Sequence, residues 1–206
     1  MSDKFIIPEN QIIELKGRGI PKPANDQNTD DIVPARYLKE ITFANMGDYA
    51  YFDERFKDGK PIEDHPFNDP KYQGATILIG GANYGCGSSR EHAPQALHRY
   101  GLNAIIAPSF AEIFAGNCAS LGVVGVTVSP QDATELADFV KQEPSTKILL
   151  SLADKVIRYD GKSIDLDISE GRRQAFLNGT WDAMTVLQQK EERVKGVIQK
   201  LDYLNL

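Results

Sequence analysis

The sequence is poor in the side chains that hold metals or form disulfide frameworks, with two cysteines and three histidines in 206 residues. Two thiols cannot supply the three or four thiolates of an iron–sulfur cluster, nor a structural zinc site. Cys86 and Cys118 also provide no disulfide framework. The sequence therefore predicts a chain that binds no metal by itself. It also needs no disulfide bonds for stability, because a chain of this length buries roughly 70% of its unfolded surface.

An excess of positive charge is also missing, and so are long apolar runs. The formal net charge is -6, which argues against a nucleic-acid surface because phosphate contacts need clustered Lys and Arg. No apolar run reaches the roughly 18 residues of a membrane span, and the first residues lack a signal-peptide layout. We expect a cytoplasmic protein without nucleic-acid or membrane partners, folded as one domain over residues 1–206.

What the sequence does contain is a regular alternation of strand and helix patterns. Three short apolar runs, ATILIGG, NAIIA and VVGVTV, are typical of buried strands, and two helical patterns separate them. This order predicts an α/β fold with a partly parallel sheet. In the second helix we expect Ser109 as the cap and Phe110, Ile113, Phe114 and Leu121 on one face.

The C-terminal part combines strands with helices. Alternating apolar residues on both sides of a Tyr-Asp-Gly-Lys turn at 159–162 predict a hairpin. The segment from about 169 to 206 has a helical pattern that is interrupted at Asn178-Gly179. His65, in an aspartate- and proline-rich stretch, has the pattern of an ordinary loop residue.

The loop GANYGCGSSREHAP, residues 81–94, follows the first apolar strand and precedes a helix. A loop in this position presents backbone N–H groups and the positive end of a helix, which together form an anion site. A P-loop would need Lys and Ser where Cys86 and Gly87 stand. A dinucleotide-binding turn would need glycine at Arg90, and a hydrolase elbow would need glycine at Glu91.

A carboxylate site is the interpretation that remains. Arg90 offers the two parallel donors that match a carboxylate. Ser88 and Ser89, with the N–H groups around them, can hold an oxyanion or become one.

The stretch YGCGSSREHAPQAL resembles the signature of the small subunits of 3-isopropylmalate dehydratase and is similar to the GSSRE loop of aconitase's fourth, swivelling domain. Further stretches resemble the family in the same order and extend the match over about residues 30–190. They are NTDDIVPARYLK, HPFNDPKYQGATILI, APSFAEIFAGNC and RRQAFLNGTWDAMTVL. Asn28 stands where the family more typically has aspartate.

The resemblance implies a swivelling β/β/α domain with a C-terminal helical segment. It also implies a large partner subunit that binds a [4Fe-4S] cluster, so this chain binds no cofactor itself. The implied reaction is that of a hydro-lyase of leucine biosynthesis, which interconverts 2-isopropylmalate and 3-isopropylmalate through an alkene. The substrate would be a small hydroxy-diacid.

The resemblance also implies roles for individual residues. Ser88 would be the general base, and Ser89 would hold the substrate or the developing charge. Arg90 would clamp a substrate carboxylate. Asp30 would lie at the edge of the active site and orient the base, and Thr29 would contact the substrate.

Tyr37, Leu38 and Lys39 match the place where the family binds the variable group of its substrate. An isopropyl group favours contact with Tyr37 or Leu38, whereas Lys39 leaves open a homoaconitase-like substrate with another charged group. Dimethylmalate or citraconate chemistry also stays open. From other classes, a stand-alone anion-binding module and a subunit that only assists assembly are the alternatives.

Overall fold

The computed structural model of the protein describes residues 6–88, 90–188, 195, 196, 198 and 199. Its strands are β1 (Glu14–Lys22), β2 (Phe56–Lys57), β3 (Lys60–Pro61), β4 (Ile77–Gly80), β5 (Ala104–Ala107), β6 (Val124–Thr127), β7 (Lys147–Ser151), β8 (Val156–Tyr159) and β9 (Lys162–Asp165). Its α-helices are α1 (Thr29–Ile32), α2 (Phe52–Arg55), α3 (His92–Tyr100), α4 (Glu112–Ser120), α5 (Pro130–Gln142), α6 (Glu170–Asn178) and α7 (Ala183–Gln188). No helix among these residues is long and apolar enough to cross a membrane.

Within the described residues a mixed sheet of seven strands has the order β6-β5-β4-β1-β7-β8-β9. The central strand β1 pairs in parallel with β4, where Ile20 lies opposite Leu78, and antiparallel with β7, where Leu15 lies opposite Leu150. We call β1, β4, β5 and β6 the parallel half and β7, β8 and β9 the antiparallel half. The predicted α/β fold with a partly parallel sheet is confirmed.

Helical connections cover the inner strands of the parallel half. Every residue of β4 and β5 is buried, as expected for parallel strands joined by helical crossovers. Helix α5 packs against β1, β4 and β5. It begins where Ser129 accepts a hydrogen bond from the Asp132 N–H and Pro130 fills the first helical position, which are two standard helix-start features.

The antiparallel half contains the predicted hairpin. Strands β8 and β9 pair antiparallel, and the two turn residues, Asp160 and Gly161, both have positive φ angles. That backbone matches the twist of a two-residue hairpin. Helix α6 ends at Asn178 and is followed by Gly179, which has a φ of 73°, so the predicted interruption is confirmed. Most of the predicted helical tail after residue 188 lies outside the described residues.

The start of α4 differs from the prediction. Ala111, not Ser109, is the residue that precedes its first turn. The Ser109 hydroxyl instead accepts a hydrogen bond from the Asn83 N–H at 2.8 Å. The buried face of α4 contains Phe114, Ala115 and Cys118, whereas Ile113 is 58% exposed.

A candidate active site at the edge of the parallel half

Two connections that leave the parallel half lie side by side. The first, residues 81–91, joins β4 to α3 and is called the signature loop. The second, residues 23–33, follows β1 and is called the companion segment. Because β1 and β4 are adjacent and parallel, both segments leave the same edge of the sheet, where ligands of α/β proteins usually bind.

Backbone hydrogen bonds join the two segments along their length. The Asp26 N–H donates to the Ala82 carbonyl, the Gly85 N–H to the Gln27 carbonyl and the Thr29 N–H to the Cys86 carbonyl, each at 2.8 Å. The two segments therefore form one surface although they lie about 60 residues apart in the sequence.

Two glycines of the signature loop are required by their surroundings. Gly85 has a φ of 77°, and a Cβ there would overlap the Phe114 ring. Gly87 has a φ of 93°, and a Cβ there would overlap the Asn28 side chain. Both the left-handed backbone and the close approach exclude larger residues. The Gly-Cys-Gly spacing of the sequence is explained by these two contacts.

The companion segment presents its side chains on the short helix α1. The Asn28 side chain accepts a hydrogen bond from the Asp30 N–H at 2.9 Å, and the Asp31 carboxylate accepts one from the Asn28 N–H at 3.0 Å. This is a reciprocal capping box. Asn28 therefore caps α1 and orients Thr29 and Asp30.

Ser88, Arg90 and Thr29 meet at one cleft of about 250 Å³, together with Gly85 and Gly87. The Thr29 hydroxyl donates to the Ser88 carbonyl at 2.9 Å, which fixes the backbone that carries the serine. The Ser88 side chain is exposed to solvent. The cleft thus combines a serine hydroxyl with a guanidinium group.

Asp30 forms an ion pair with Arg90, in which Arg90 Nη1 lies 2.9 Å from Asp30 Oδ1. The guanidinium is thereby held at the cleft and partly neutralised. Among the residues predicted for the site, Ser88, Arg90 and Thr29 line the cleft, and Asp30 touches it through Arg90. Ser89 lies outside the described residues.

Tyr37, Leu38 and Lys39 lie in a 3₁₀ helix, Ala35–Lys39, and do not line the cleft. The Tyr37 ring stacks on Tyr49 with 3.9 Å between centroids. The Arg36 guanidinium lies 4.7 Å from the centroid of the same ring. Contact between this segment and a substrate stays a prediction.

An apolar wall completes the cleft, and sequence reasoning did not identify it as part of the site. Ala111, Ile113 and Phe114 of the α4 start line it, beside Glu112. Glu112 forms an ion pair with Arg172 of α6. The APSFAEIFAGNC stretch carried the available signal, because it resembled the family without having an assigned role.

A buried polar cluster lies under the signature loop. The Tyr84 hydroxyl is hydrogen-bonded to the Tyr51 hydroxyl, and burial raises the pKa of both phenols. Lys22 Nζ lies 4.5 Å from the centroid of the Tyr51 ring and 2.7 Å from Glu54 Oε2. The Lys22 side chain is only 9% exposed.

His65 lies in a loop, as the sequence indicated, and its side chain belongs to this cluster. Its side chain is 9% exposed, and its Nε2 lies 3.7 Å from Glu54 Oε2. His65 and Lys22 both lower the pKa of the Glu54 carboxyl. The Lys22 contact is the stronger one, because 3.7 Å exceeds hydrogen-bond distance. His65 Nδ1 accepts a hydrogen bond from the Phe67 N–H at 3.2 Å.

The thiols do not fit a metal cluster. Within the described ranges, no group of three or more His, Cys, Asp and Glu side chains could hold a metal ion. The Cys86 thiol donates to the Asp26 carbonyl at 3.3 Å. Cys118 is buried in α4, and burial raises the pKa of its thiol, so it stays protonated and is a poor ligand.

Comparison with known families matches residues 9–131 to the aconitase C-terminal domain. This match covers more than half of the sequence, and the chain belongs to that family. The crystal structure of 3-isopropylmalate dehydratase from Methanocaldococcus jannaschii has the same fold. It aligns with a TM-score of 0.62 at 24% identity and covers 87% of this chain and 99% of the other.

Relatives with higher sequence identity place the chain in one group within the family. The chain is 41% identical over 203 residues to a 3-isopropylmalate dehydratase small subunit of Thermus thermophilus, and the alignment covers 98% of each protein. It is 38% identical over 196 residues to the small subunit of a Synechocystis species, covering 95% of this chain and 96% of the relative. Within the aconitase family, the chain belongs with the small subunits of 3-isopropylmalate dehydratase, a hydro-lyase.

Proposed function

We propose that this chain is the small subunit of a cytoplasmic 3-isopropylmalate dehydratase of leucine biosynthesis, and that it contributes the proton-transfer half of the active site. The observation that carries the proposal is the convergence of Ser88 and Arg90 on one cleft. A base and a carboxylate-binding group are what the removal of a proton next to a carboxylate requires.

In the proposed mechanism the Arg90 guanidinium binds a substrate carboxylate. Ser88, as its alkoxide, removes the proton from the carbon next to that carboxylate. The substrate hydroxyl leaves the neighbouring carbon as hydroxide with the C–O bonding pair, and an alkene forms. Rehydration with the opposite regiochemistry returns the proton from Ser88 and gives the isomer. Asp30 holds Arg90 through their ion pair at 2.9 Å. The untested role of Ser89 in holding the substrate or the developing charge belongs to the same proposal.

Ionising Ser88 is the most demanding step. Lowering the pKa of a serine hydroxyl by about six units requires about 8 kcal/mol. The dipole of α3, which begins at His92 just after the loop, contributes only about 0.3–2 kcal/mol. Arg90, the N–H groups of the loop and the partner subunit must therefore supply the rest, in a site closed to water.

The partner is, by this proposal, a large subunit that holds the [4Fe-4S] cluster, since Cys86 and Cys118 do not fit one. The cleft opens to solvent, and Ile113 at its wall is 58% exposed. A partner that covers the cleft would bury Ile113 and exclude water from Ser88.

The decisive experiment mixes this chain with a cluster-loaded 3-isopropylmalate dehydratase large subunit without oxygen and follows alkene formation from either isomer. We expect turnover only in the mixture. Ser88→Ala should lower kcat by about 10³-fold, within the range for loss of a general base. Ser163→Ala, on the exposed face of β9, is the matched control and should leave kcat unchanged.

Other results of the same assay would support a different function. Full turnover with Ser88→Ala would mean that the chain only assists assembly. No turnover with a proven large subunit would point to another hydroxy-diacid, and substrates with an additional carboxylate would then be tested against Lys39→Ala. Tight nucleotide binding by the chain alone would favour an anion-binding module.

The partner surface has its own test. Ile113→Asp should weaken association with the large subunit about tenfold or more, because a buried charge without a partner is costly. Ile13→Asp changes an isoleucine that is 47% exposed beside β7 and should leave the affinity unchanged. Sedimentation of the mixed subunits measures both, and equal affinities for the two variants would place the interface elsewhere.

A further inference from the structure

Tyr51 has a backbone conformation that bulky residues rarely adopt. Its φ and ψ are 53° and 33°, in the left-handed region, although its side chain is fully buried. A large aromatic residue in this region is an outlier that the surrounding structure must stabilise. Such strain persists where a defined geometry is required and often lies near functional sites.

The contacts of Tyr51 show what that geometry connects. Its backbone N–H donates to the carbonyl of Ile32, the last residue of α1, at 2.7 Å. Its hydroxyl is hydrogen-bonded to that of Tyr84. Tyr51 therefore bridges α1, which carries Thr29 and Asp30, and the signature loop.

Tyr84 is the fixed point from which the loop proceeds toward Ser88. Its side chain is fully buried and contacts Phe114, with 5.6 Å between ring centroids. Its N–H donates to the Ser109 carbonyl and its carbonyl accepts from the Ala111 N–H, both at 3.0 Å. The next residue is Gly85, whose N–H donates to the companion segment.

Charged groups secure the other end of the bridge. Lys22 lies over the Tyr51 ring and is paired with Glu54, and His65 lies beside Glu54. A buried cation over an aromatic face favours one position of that ring. The hydroxyl of Tyr51 is thus presented to Tyr84 from a fixed ring.

We propose that the Tyr51–Tyr84 hydroxyl pair positions the site by setting the spacing between α1 and the signature loop. Neither tyrosine lines the cleft, so both act through other residues. The pair holds Ser88 and Arg90, on one side, in register with Thr29 and Asp30, on the other. The consequence for catalysis depends on the proposed function, whereas the consequence for the loop does not.

The test compares Tyr84→Phe and Tyr51→Phe with Tyr100→Phe. Tyr100 is the matched control, because its hydroxyl also makes a partly buried hydrogen bond, to the Phe67 carbonyl at 2.8 Å, but at the far end of α3. Amide hydrogen exchange of the chain alone should become about tenfold faster or more at Gly85 in the first two variants only. All three should have similarly lowered melting temperatures.

The reconstituted enzyme gives the second readout. We expect kcat to fall about tenfold in Tyr84→Phe and Tyr51→Phe, as a misplaced catalytic group would cause, with KM and the shape of the pH profile unchanged. The double variant should lose no more than either single variant, because it leaves no buried hydroxyl without a partner.

The outcomes are distinct. If the exchange rate at Gly85 and kcat in Tyr51→Phe and Tyr84→Phe match those in Tyr100→Phe, the hydroxyl pair serves stability alone and the proposal is wrong. If the wild-type mixture shows no turnover, the proposed function fails, and exchange at Gly85 still decides the positioning role. Should Tyr84→Phe not fold, Tyr51→Phe carries the same comparison.

Discussion

The two halves of the sheet end in very different ways. In the antiparallel half, β8 turns into β9 through the two residues Asp160 and Gly161. In the parallel half, each strand must be followed by a long connection, and the connections after β1, β4 and β5 meet at the cleft. Parallel pairing thus brings together side chains that are far apart in sequence. The hairpin, in contrast, reverses the chain direction with a turn of only two residues.

The sharpest way to test this contrast is to place alanine at one glycine of each half. Gly85→Ala should destabilise the chain by about 3 kcal/mol, because φ is positive and the Cβ would overlap Phe114. It should also lower kcat more than tenfold. Gly161→Ala, with the same sign of φ but open space around it, should cost about 1 kcal/mol and leave kcat unchanged. Urea unfolding and turnover measure the pair.

Equal losses of stability in these two variants would show that only the backbone angle matters at Gly85. The close approach of the loop to Phe114 would then not contribute to the site.

Helix caps provide a second, smaller comparison. Asn28→Ala removes the cap of α1, and Ser129→Ala removes that of α5, whose N-cap hydroxyl accepts from Asp132. Each should cost about 1 kcal/mol of unfolding free energy. Only Asn28→Ala should also lower kcat, by several-fold, because Asn28 touches Gly87 and orients Asp30. A loss of kcat in both variants would contradict a local role for the α1 cap.

The prediction with the smallest expected effect compares the reactivity of a thiol at the edge of the parallel half with that of a thiol in its interior. Cys118 is buried, and its raised pKa keeps the thiol protonated at neutral pH, so iodoacetamide should modify it only after unfolding. Cys86, partly exposed in the signature loop, should react in the native chain. Peptide mass spectrometry gives the two rates, and a fast native reaction at Cys118 would show that α4 opens readily.

Hydrophobic periodicity and turn-forming residues were sufficient to predict the order of these strands and helices. The strands after residue 75, the hairpin turn and the interruption at Gly179 follow from local patterns and are confirmed. The place where α4 starts did not follow, because Ser109 is engaged by the Asn83 N–H, a contact that exists only after β4 and β5 have paired.

The site was predictable only in part for the same reason. Ser88 and Arg90 share one motif, and the family resemblance added Asp30 and Thr29. The hydroxyl pair of Tyr51 and Tyr84 joins residues 33 positions apart, so no local pattern indicates it. A buried lysine such as Lys22 also violates the usual preference for exposure and is intelligible only beside Glu54.

The parallel pairing of β1 with β4 has a kinetic consequence. Ile20 meets Leu78 across the sheet, so more than fifty residues must be closed into a loop before that contact forms, and such non-local pairings slow folding. Until β1 and β4 have paired, the companion segment and the signature loop have no common surface. The cleft therefore exists only in chains in which β1 and β4 have paired, and a partner that recognises the cleft selects those chains.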